Sequence, residues 1–406
     1  MSFSVSANQL VTGALTDSAP LFIIHIFVFL TSATMPRRQT MKIIILAAED
    51  DNHTAPLKWA LEKAGYTVVC WTGLGWTEQQ QASVLLNHDE KDVVTLGGHT
   101  VDAGDVVWIR RPEPPVTNPK TSEVDKKFAS VEYRAFFHSI LFMLQSLPVW
   151  CINPFSAARL INQKPVQLRI ARKCGLKTPA TLMSNDPQEV RQFFSRPGSR
   201  NICKGFTPHI WQKEGFTSVA ITETFELTPE QLPSDEVLTY APAIYQERIP
   251  KEFDVRMVLM GNNIYSYALN NTQKALDWRQ DATLGHVTAE KIETPPEIAK
   301  SVLAFAQQFG ICFGSLDFGV DAHGQWWFLE INEEGQFLWL DQFNREARLM
   351  EKFCAFITAP QGSTVPLEDR EHLFPSLQEY TDIPMEQKVQ PIPRPNREEP
   401  FLSSET

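Results

Sequence analysis

The sequence predicts an α/β protein that opens on a parallel sheet and later builds an antiparallel hairpin with one polar face. Three observations carry this. Lys42 to Leu46 is a short, unbroken apolar run, the pattern of a strand buried on both faces. Thr54 to Ala64 then has helical character, stops at Gly65, and is followed by the strand-forming run Thr67 to Trp71; strand, helix and strand in close succession predict a parallel pair with a crossover helix. Far downstream, Ser315 to Val320 and Gln325 to Ile331 flank Asp321-Ala322-His323-Gly324, a turn sequence with an acid first and a glycine last.

The remaining elements follow in order. Asp105 to Ile109 is a strand that ends on Arg110-Arg111-Pro112. Arginines at the carboxyl end of a strand in an open α/β sheet lie where such sheets hold ligands. Solvated arginines ahead of a Pro-rich loop are the competing reading. Glu123 to Leu147 is a long apolar helix that closes the first domain near Pro154, and Ser156 to Cys174 reads as one further helix, broken by Gly175 and Pro179. Short strand-like runs come at 202–204, 218–222, 244–246 and 254–260, and a helix over 295–309 stops at Gly310. From Pro360 the chain is polar and rich in proline, including PIPRP at 391–395, and no fixed structure is expected there. No internal repeat is visible.

Several function classes are disfavoured at this stage. A formal charge of −11 argues against a general binder of nucleic acid or anionic membrane. The six cysteines, at 70, 151, 174, 203, 312 and 354, are scattered without a CxxC or zinc spacing, as expected of reduced thiols in a cytoplasmic protein. Leu21 to Leu30 is apolar, but a bilayer-spanning helix needs about 20 residues, and no Lys or Arg precedes the run as in a secretory signal. The change of character at Met41 suggests that residues 1–40 are an upstream extension and that the functional protein starts at Met41; a short membrane anchor is the alternative.

The hairpin carries the chemistry. Pairing Val320 with Gln325 would set Asp317 opposite Phe328 and Ser315 opposite Glu330. Because side chains alternate along a strand, Asp317, Glu330 and Asn332 then share one face, while Leu316, Phe318, Val320, Trp327, Leu329 and Ile331 cover the other. Two carboxylates and an amide oxygen suit a hard cation such as magnesium. The competing reading is a half-exposed hairpin with solvated acids. No Ser, His and Cys residues form a triad that would supply a protein nucleophile.

Upstream of the hairpin, polar signals come in a definite order: Lys164 on a helix, Lys204 at the end of a β run, Gln246-Glu247-Arg248-Ile249, then Lys251 to Arg256, then Asp277-Trp278-Arg279. This order resembles the ATP-grasp superfamily. INPFSAARLINQKPVQLRIARKCGLKTPATLMSNDP (152–187), YQERIPKEFDVRMVLMGNNIYSYALNNTQ (245–273), DWR (277–279) and FLEINEEGQFLWL (328–340) are similar to the peptide-modifying ATP-grasp ligases, most of all the microviridin-type graspetide maturases. The Trp-Ile-Arg-Arg-Pro at 108–112 also looks like their first domain. The resemblance covers roughly residues 41–345.

It implies an N-terminal parallel-sheet domain (41–155) before a two-subdomain ATP-grasp fold (156–249 and 250–358), with a Pro-rich flexible tail (359–406). Lys164 and Lys204 would neutralise ATP phosphates. Gln246 and the backbone at Glu247 and Ile249 would hold the adenine, and Glu252 the ribose hydroxyls, with Asp254 as the alternative. Asp317, Glu330 and Asn332 would hold one or two magnesium ions, and Arg256 and Arg279 would face the γ-phosphate. Arg110 and Arg111 would meet the peptide. Glu333, where family members often have proline, is expected to be exposed, and the loop after Lys204 is less glycine-rich than many phosphate-covering loops.

The implied activity is ATP-dependent activation of Asp or Glu side chains in a ribosomal precursor peptide and their joining to hydroxyl or amine side chains. Two alternatives stand beside it: a carboxylate–amine ligase that adds a free amino acid to a peptide or protein, and a non-catalytic ATP-binding protein that recognises a peptide. The expected partner is a precursor peptide, with no nucleic acid and no stable membrane association; a homodimer is one option for its assembly.

Overall fold

A computed structural model of the chain describes residues 41–388, apart from 49, 89–90, 197, 199, 208–209, 213–218, 222–223, 272–286, 360 and 362–364. The opening is as expected: β1 (Lys42–Ala47), α1 (Thr54–Lys63) and β2 (Thr67–Trp71), with β1 and β2 parallel. β1 is apolar after Lys42 because its faces serve two different cores: Ile43 and Ile45 pack into one, Ile44 and Leu46 into the other. β3 (Ala82–Leu85), β4 (Val93–Leu96) and β5 (His99–Val101) form a separate antiparallel meander. The chain then returns through β6 (Val106–Arg111), crosses by α2 (Glu123–Ser146) and ends the first sheet with β7 (Trp150–Ile152), giving the parallel order β2-β1-β6-β7. β6 runs two residues further than expected, so Arg110 and Arg111 lie within the strand.

The single helix expected over 156–174 is two helices, α3 (Phe155–Ile161) and α4 (Lys164–Lys173). Pro165 is the reason: it lacks an amide proton and is tolerated only in a first turn, so a new helix must start at Lys164. Both helices join the core beneath the hairpin sheet, through Ala157, Ile161, Leu168 and Ala171. β8 (Thr181–Ser184), α5 (Pro187–Phe194), β9 (Asn201–Lys204), β10 (Ile210–Gln212), β11 (Val219–Ile221), β12 (Phe225–Leu227), α6 (Asp235–Leu238) and β13 (Ala243–Glu247) follow. Four of these strands form the antiparallel sheet β12-β9-β13-β8, and β10 pairs with β11.

Next come β14 (Lys251–Met260), β15 (Asn263–Asn271), β16 (Val287–Ile292), α7 (Pro296–Phe309), β17 (Phe313–Asp321) and β18 (Trp326–Asn332). The five strands make one antiparallel sheet of order β16-β15-β14-β17-β18. One face, with Val255, Met257, Leu259, Leu316 and Phe318, packs on α3, α4 and α7. On the opposite face Val258, Met260 and Tyr267 share a core with β1, α1 and the next helices, α8 (Leu338–Phe343) and α9 (Leu349–Ile357).

The chain beyond Pro360 departs from the expectation of a flexible tail. Within the described residues it forms α10 (Glu368–Glu371) and α11 (Leu377–Thr381), and Leu367, Phe374 and Leu377 are buried in the same core as α1. Tyr66 stacks on Phe374 at 6.2 Å and Trp59 lies 5.6 Å from Tyr380. Glu371 accepts from Arg348 at 2.7 Å and pairs with Lys352 at 2.8 Å, tying α10 to α9. A few apolar anchors spaced along a polar segment suffice to dock it, and composition averaged over the whole tail hides them. Among the described residues no helix is long and apolar enough to cross a membrane. Phe374→Ala should lower the unfolding free energy by about 3–5 kcal/mol, read by denaturant titration; an unchanged midpoint would mean that the segment is not part of the cooperative fold.

Candidate active site

The polar face of the hairpin sheet is built around a register that differs from the expected one. Asp317 lies directly opposite Glu330, Ser315 opposite Asn332, and Val320 opposite Trp326. A bulge between Asp317 and Phe318 leaves Leu329 unpaired and sets Phe328 against Phe318. The core face therefore takes Trp326 and Phe328 in place of the expected Trp327 and Leu329. Above the bulge the acids still share one face, as the alternation requires.

Each acid holds a cation. Asp317 Oδ1 accepts from Arg256 at 2.7 Å, and Arg256 is its register partner on β14. The other Arg256 terminal nitrogen donates to Gln336 O at 2.9 Å, and the guanidinium lies 5.9 Å from the Trp339 ring. Glu330 Oε2 accepts from Lys164 Nζ at 2.9 Å. Lys164 arrives there because buried Gln167, one turn along α4, brackets β18: its Nε2 donates to Ile331 O at 3.1 Å and its Oε1 accepts from Ile331 N at 3.2 Å. Arg256 Nε and Ser315 Oγ are buried without a partner among the described residues, so this face has hydrogen-bonding capacity left for a ligand or water.

The polar groups of the segment that joins the two sheets are mostly committed within it or to the neighbouring strand β8. Gln246 is buried and donates to Thr181 Oγ1 at 2.9 Å; the Glu247 amide donates to Ala180 O at 2.8 Å; the Ile249 carbonyl accepts from Lys251 N at 2.8 Å. The Ile249 amide has no backbone acceptor among the described residues. Lys204 ends β9 in register with Ile244. Asp254 is buried and gripped by Lys251 through both oxygens at 2.7 and 2.8 Å, whereas Glu252 is exposed. Asp277, Trp278 and Arg279, and part of the loop after Lys204, lie outside the described residues.

Arg110 and Arg111 separate in role. Arg110 is only 1% exposed, so it is not part of a surface that a peptide could meet. It donates to Glu334 O at 2.9 Å and lies 3.5 Å from Asp51, because β6 continues through it into the interior. Arg111, 46% exposed on its side chain, pairs with Glu334 at 2.7 Å. Glu333 is also corrected: it is buried, accepting from Asn162 Nδ2 at 2.6 Å, and burial together with Glu334 pushes its carboxyl pKa up.

Two further residues that sequence reasoning missed hold this joint. His53 Nε2 accepts from the amides of Phe337 at 2.9 Å and Leu338 at 3.3 Å, so that nitrogen carries no proton. Burial, and then the nearby Arg110 charge, push the His53 pKa down to about 3. Asn153 Oδ1 accepts from Cys312 N at 2.8 Å and Phe313 N at 3.1 Å, and its Nδ2 donates to Phe313 O and Glu333 O. The one available signal was a lone polar residue between a buried strand and Pro154. Between this joint, the carboxyl ends of β1 and β6, α2 and α3 lies a cleft of about 710 Å³, lined by Ile109, Arg111, Glu113, Phe137, Arg159 and Glu333 among others.

Neither a family model nor a curated protein sequence matches the chain. Solved structures do. A Chryseobacterium gregarium RiPP-associated ATP-grasp ligase in complex with ADP and a leader and core peptide superposes with a TM-score of 0.66 at 23% identity, over 79% of this chain and 98% of that one. The macrocyclase MdnC of Microcystis aeruginosa, bound with precursor peptide MdnA, gives 0.63 at 23% identity over 78% and 99%. The ATP-grasp ligase PsnB, complexed with a precursor variant, Mg and ADP, gives 0.57 at 20% identity over 76% and 94%. The chain therefore has the fold of the ATP-grasp ligases.

Folding keeps His53 neutral, while an unfolded histidine takes a proton near pH 6.5. Stability from this residue is thus present above that value and falls as pH drops toward 3, by about 1.4 kcal/mol per unit. The unfolding free energy of the wild type minus that of His53→Gln should rise between pH 4 and 6.5. A flat difference would contradict the burial of a neutral imidazole.

Proposed function

We propose that the protein is an ATP-dependent ligase that crosslinks a ribosomally made precursor peptide. In that reading a side-chain carboxylate of the peptide attacks the γ-phosphorus of ATP, releasing ADP, and a peptide hydroxyl or amine displaces phosphate from the acyl phosphate to leave an ester or amide. The observation that carries it is the meeting of Asp317 and Glu330 on one face, each held by a cation, with Asn332 beside them. Two carboxylates and an amide are hard oxygen donors, and they fit magnesium, which takes few protein ligands when it is shared with phosphates. Bound there, magnesium would supply charge neutralisation for the transferring phosphoryl group.

The residues then have separate jobs. Lys164 and Lys204 face the phosphates as point charges, and the Ile249 amide offers a donor to the adenine edge. Glu252, exposed and not gripped as Asp254 is, takes the ribose hydroxyls. Arg256 holds Asp317 in place and, with Arg279, faces the γ-phosphate, where charge spreads over the equatorial oxygens. Arg111, at the cleft beside Glu333 and Glu334, is the arginine of its pair that meets the peptide. The peptide complexes of the superposable ligases support this choice of substrate class.

The test is to incubate the protein with ATP, magnesium, a mixture of free amino acids and a synthetic precursor taken from a small reading frame beside its gene, rich in Thr, Ser, Asp and Glu. Mass spectrometry should show the loss of one water per crosslink. A mass gain would instead mean ligation of a free amino acid, and no change a binding protein. Glu330→Gln should keep the circular dichroism spectrum and lower turnover by about a hundredfold or more; wild-type turnover would remove Glu330 from the site.

A further inference from the structure

The guanidinium of Arg111 is already filled by groups of this chain. Arg111 ends β6 and lines the cleft, half-exposed. Its Nε donates to Glu334 Oε2 at 2.7 Å. With the Gln336 amide turned so that its oxygen faces the guanidinium, that oxygen accepts from both terminal nitrogens, at 2.9 and 3.0 Å. A guanidinium is a planar fork suited to a carboxylate, and here the carboxylate comes from the loop after β18. Gln336 also ties this fork to the acid face. Its side chain holds Arg111, its carbonyl accepts from Arg256 at 2.9 Å, and Arg256 holds Asp317.

The two acids of that loop are held differently. Glu333 is buried, with a hydrogen bond from Asn162 at 2.6 Å. Glu334 also lines the cleft, its side chain is 38% exposed, and among the described residues Arg111 is the one hydrogen-bond partner of its carboxylate. The backbone around it is fixed independently: the Glu334 carbonyl accepts from Arg110 at 2.9 Å and the Glu333 carbonyl from Asn153 at 3.1 Å. The Glu334 side chain can therefore turn away while the loop stays in place. A half-exposed ion pair is weak and screened by salt. A carboxylate carried on a peptide that is bound elsewhere arrives at high effective concentration and competes well for the same fork. We propose that Arg111 and Gln336 form a subsite for one Asp or Glu side chain of the precursor, and that Glu334 is a resident stand-in which the peptide displaces. This rests on the ligase reading above and adds to it the group that Arg111 receives and the residue that opposes its entry.

The test uses the full chain and the synthetic precursor of the crosslinking assay, labelled for fluorescence anisotropy, with magnesium and a non-hydrolysable ATP analogue present. Glu334→Gln should tighten precursor binding by at least about threefold and lower KM by a like factor, with an unchanged circular dichroism spectrum. Glu334→Ala, which also keeps the carbonyl that holds Arg110, should do the same. A precursor with every Asp and Glu replaced by Asn and Gln should bind the wild type more weakly and gain nothing from Glu334→Gln. In the Arg111→Gln background the gain should vanish, so that the double variant binds no better than Arg111→Gln alone. If the wild type crosslinks the precursor but both Glu334 variants bind it as the wild type does or more weakly, the stand-in is overturned and the ligase reading stands. A gain that persists with the acid-free peptide or without Arg111 overturns it equally. A wild type that neither binds nor crosslinks the precursor overturns the ligase reading and the subsite with it.

Discussion

Setting Asp317 directly opposite Glu330 on neighbouring strands is unfavourable by itself, since like charges in a cross-strand pair repel. The surrounding structure is arranged to hold them there. Arg256 comes to Asp317 from the next strand of the same sheet, and Lys164 comes to Glu330 from the first turn of α4. Removing a partner of a buried pair is worth about 3–5 kcal/mol, so Arg256 and Asp317 are fixed as a unit. The bulge at Leu329 completes the arrangement. Without it, the strand could not present both Glu330 to the acid face and Phe328 to the core.

The same geometry depends on a joint between the N-terminal sheet and the hairpin sheet. The backbone from Glu333 to Leu338 is gripped from one side by His53, Arg110 and Asn153, and from the other by Arg256 through Gln336 O. Gly335 sits in this loop with φ near 58°, and a Cβ there would come within 2.5 Å of the Phe313 ring, so the tight approach requires glycine. The candidate nucleotide face and the cleft at the ends of β1 and β6 are thus joined by one well-anchored loop. The relative placement of the two therefore depends on that loop keeping its place.

Much of this was legible in the sequence. The parallel opening came from the apolar run at 42–46, and the acid face from the two-residue period of the hairpin. What escaped has physical causes. A bulge shifts register without changing composition, so regular alternation alone pairs Asp317 with Phe328. Pro165 reads as an interruption or a beginning, and only packing decides. Arg110 reads as a surface arginine because its partners, the Asp51 carboxylate and the Glu334 carbonyl, lie far from it along the chain or belong to the backbone. Glu333 was expected in solvent because the amide that holds it, Asn162, is more than a hundred residues away. The tail after Pro360 was judged by its average polarity, although three apolar residues dock it.

The proposed function requires Asp317 and Glu330 to form a magnesium-dependent phosphate site. Calorimetric titration with a non-hydrolysable ATP analogue, with and without magnesium, on the wild type and on Asp317→Asn, tests it most directly. Magnesium should strengthen binding to the wild type by about tenfold or more, and the gain should be largely lost in Asp317→Asn. Binding that ignores both magnesium and Asp317 would contradict it.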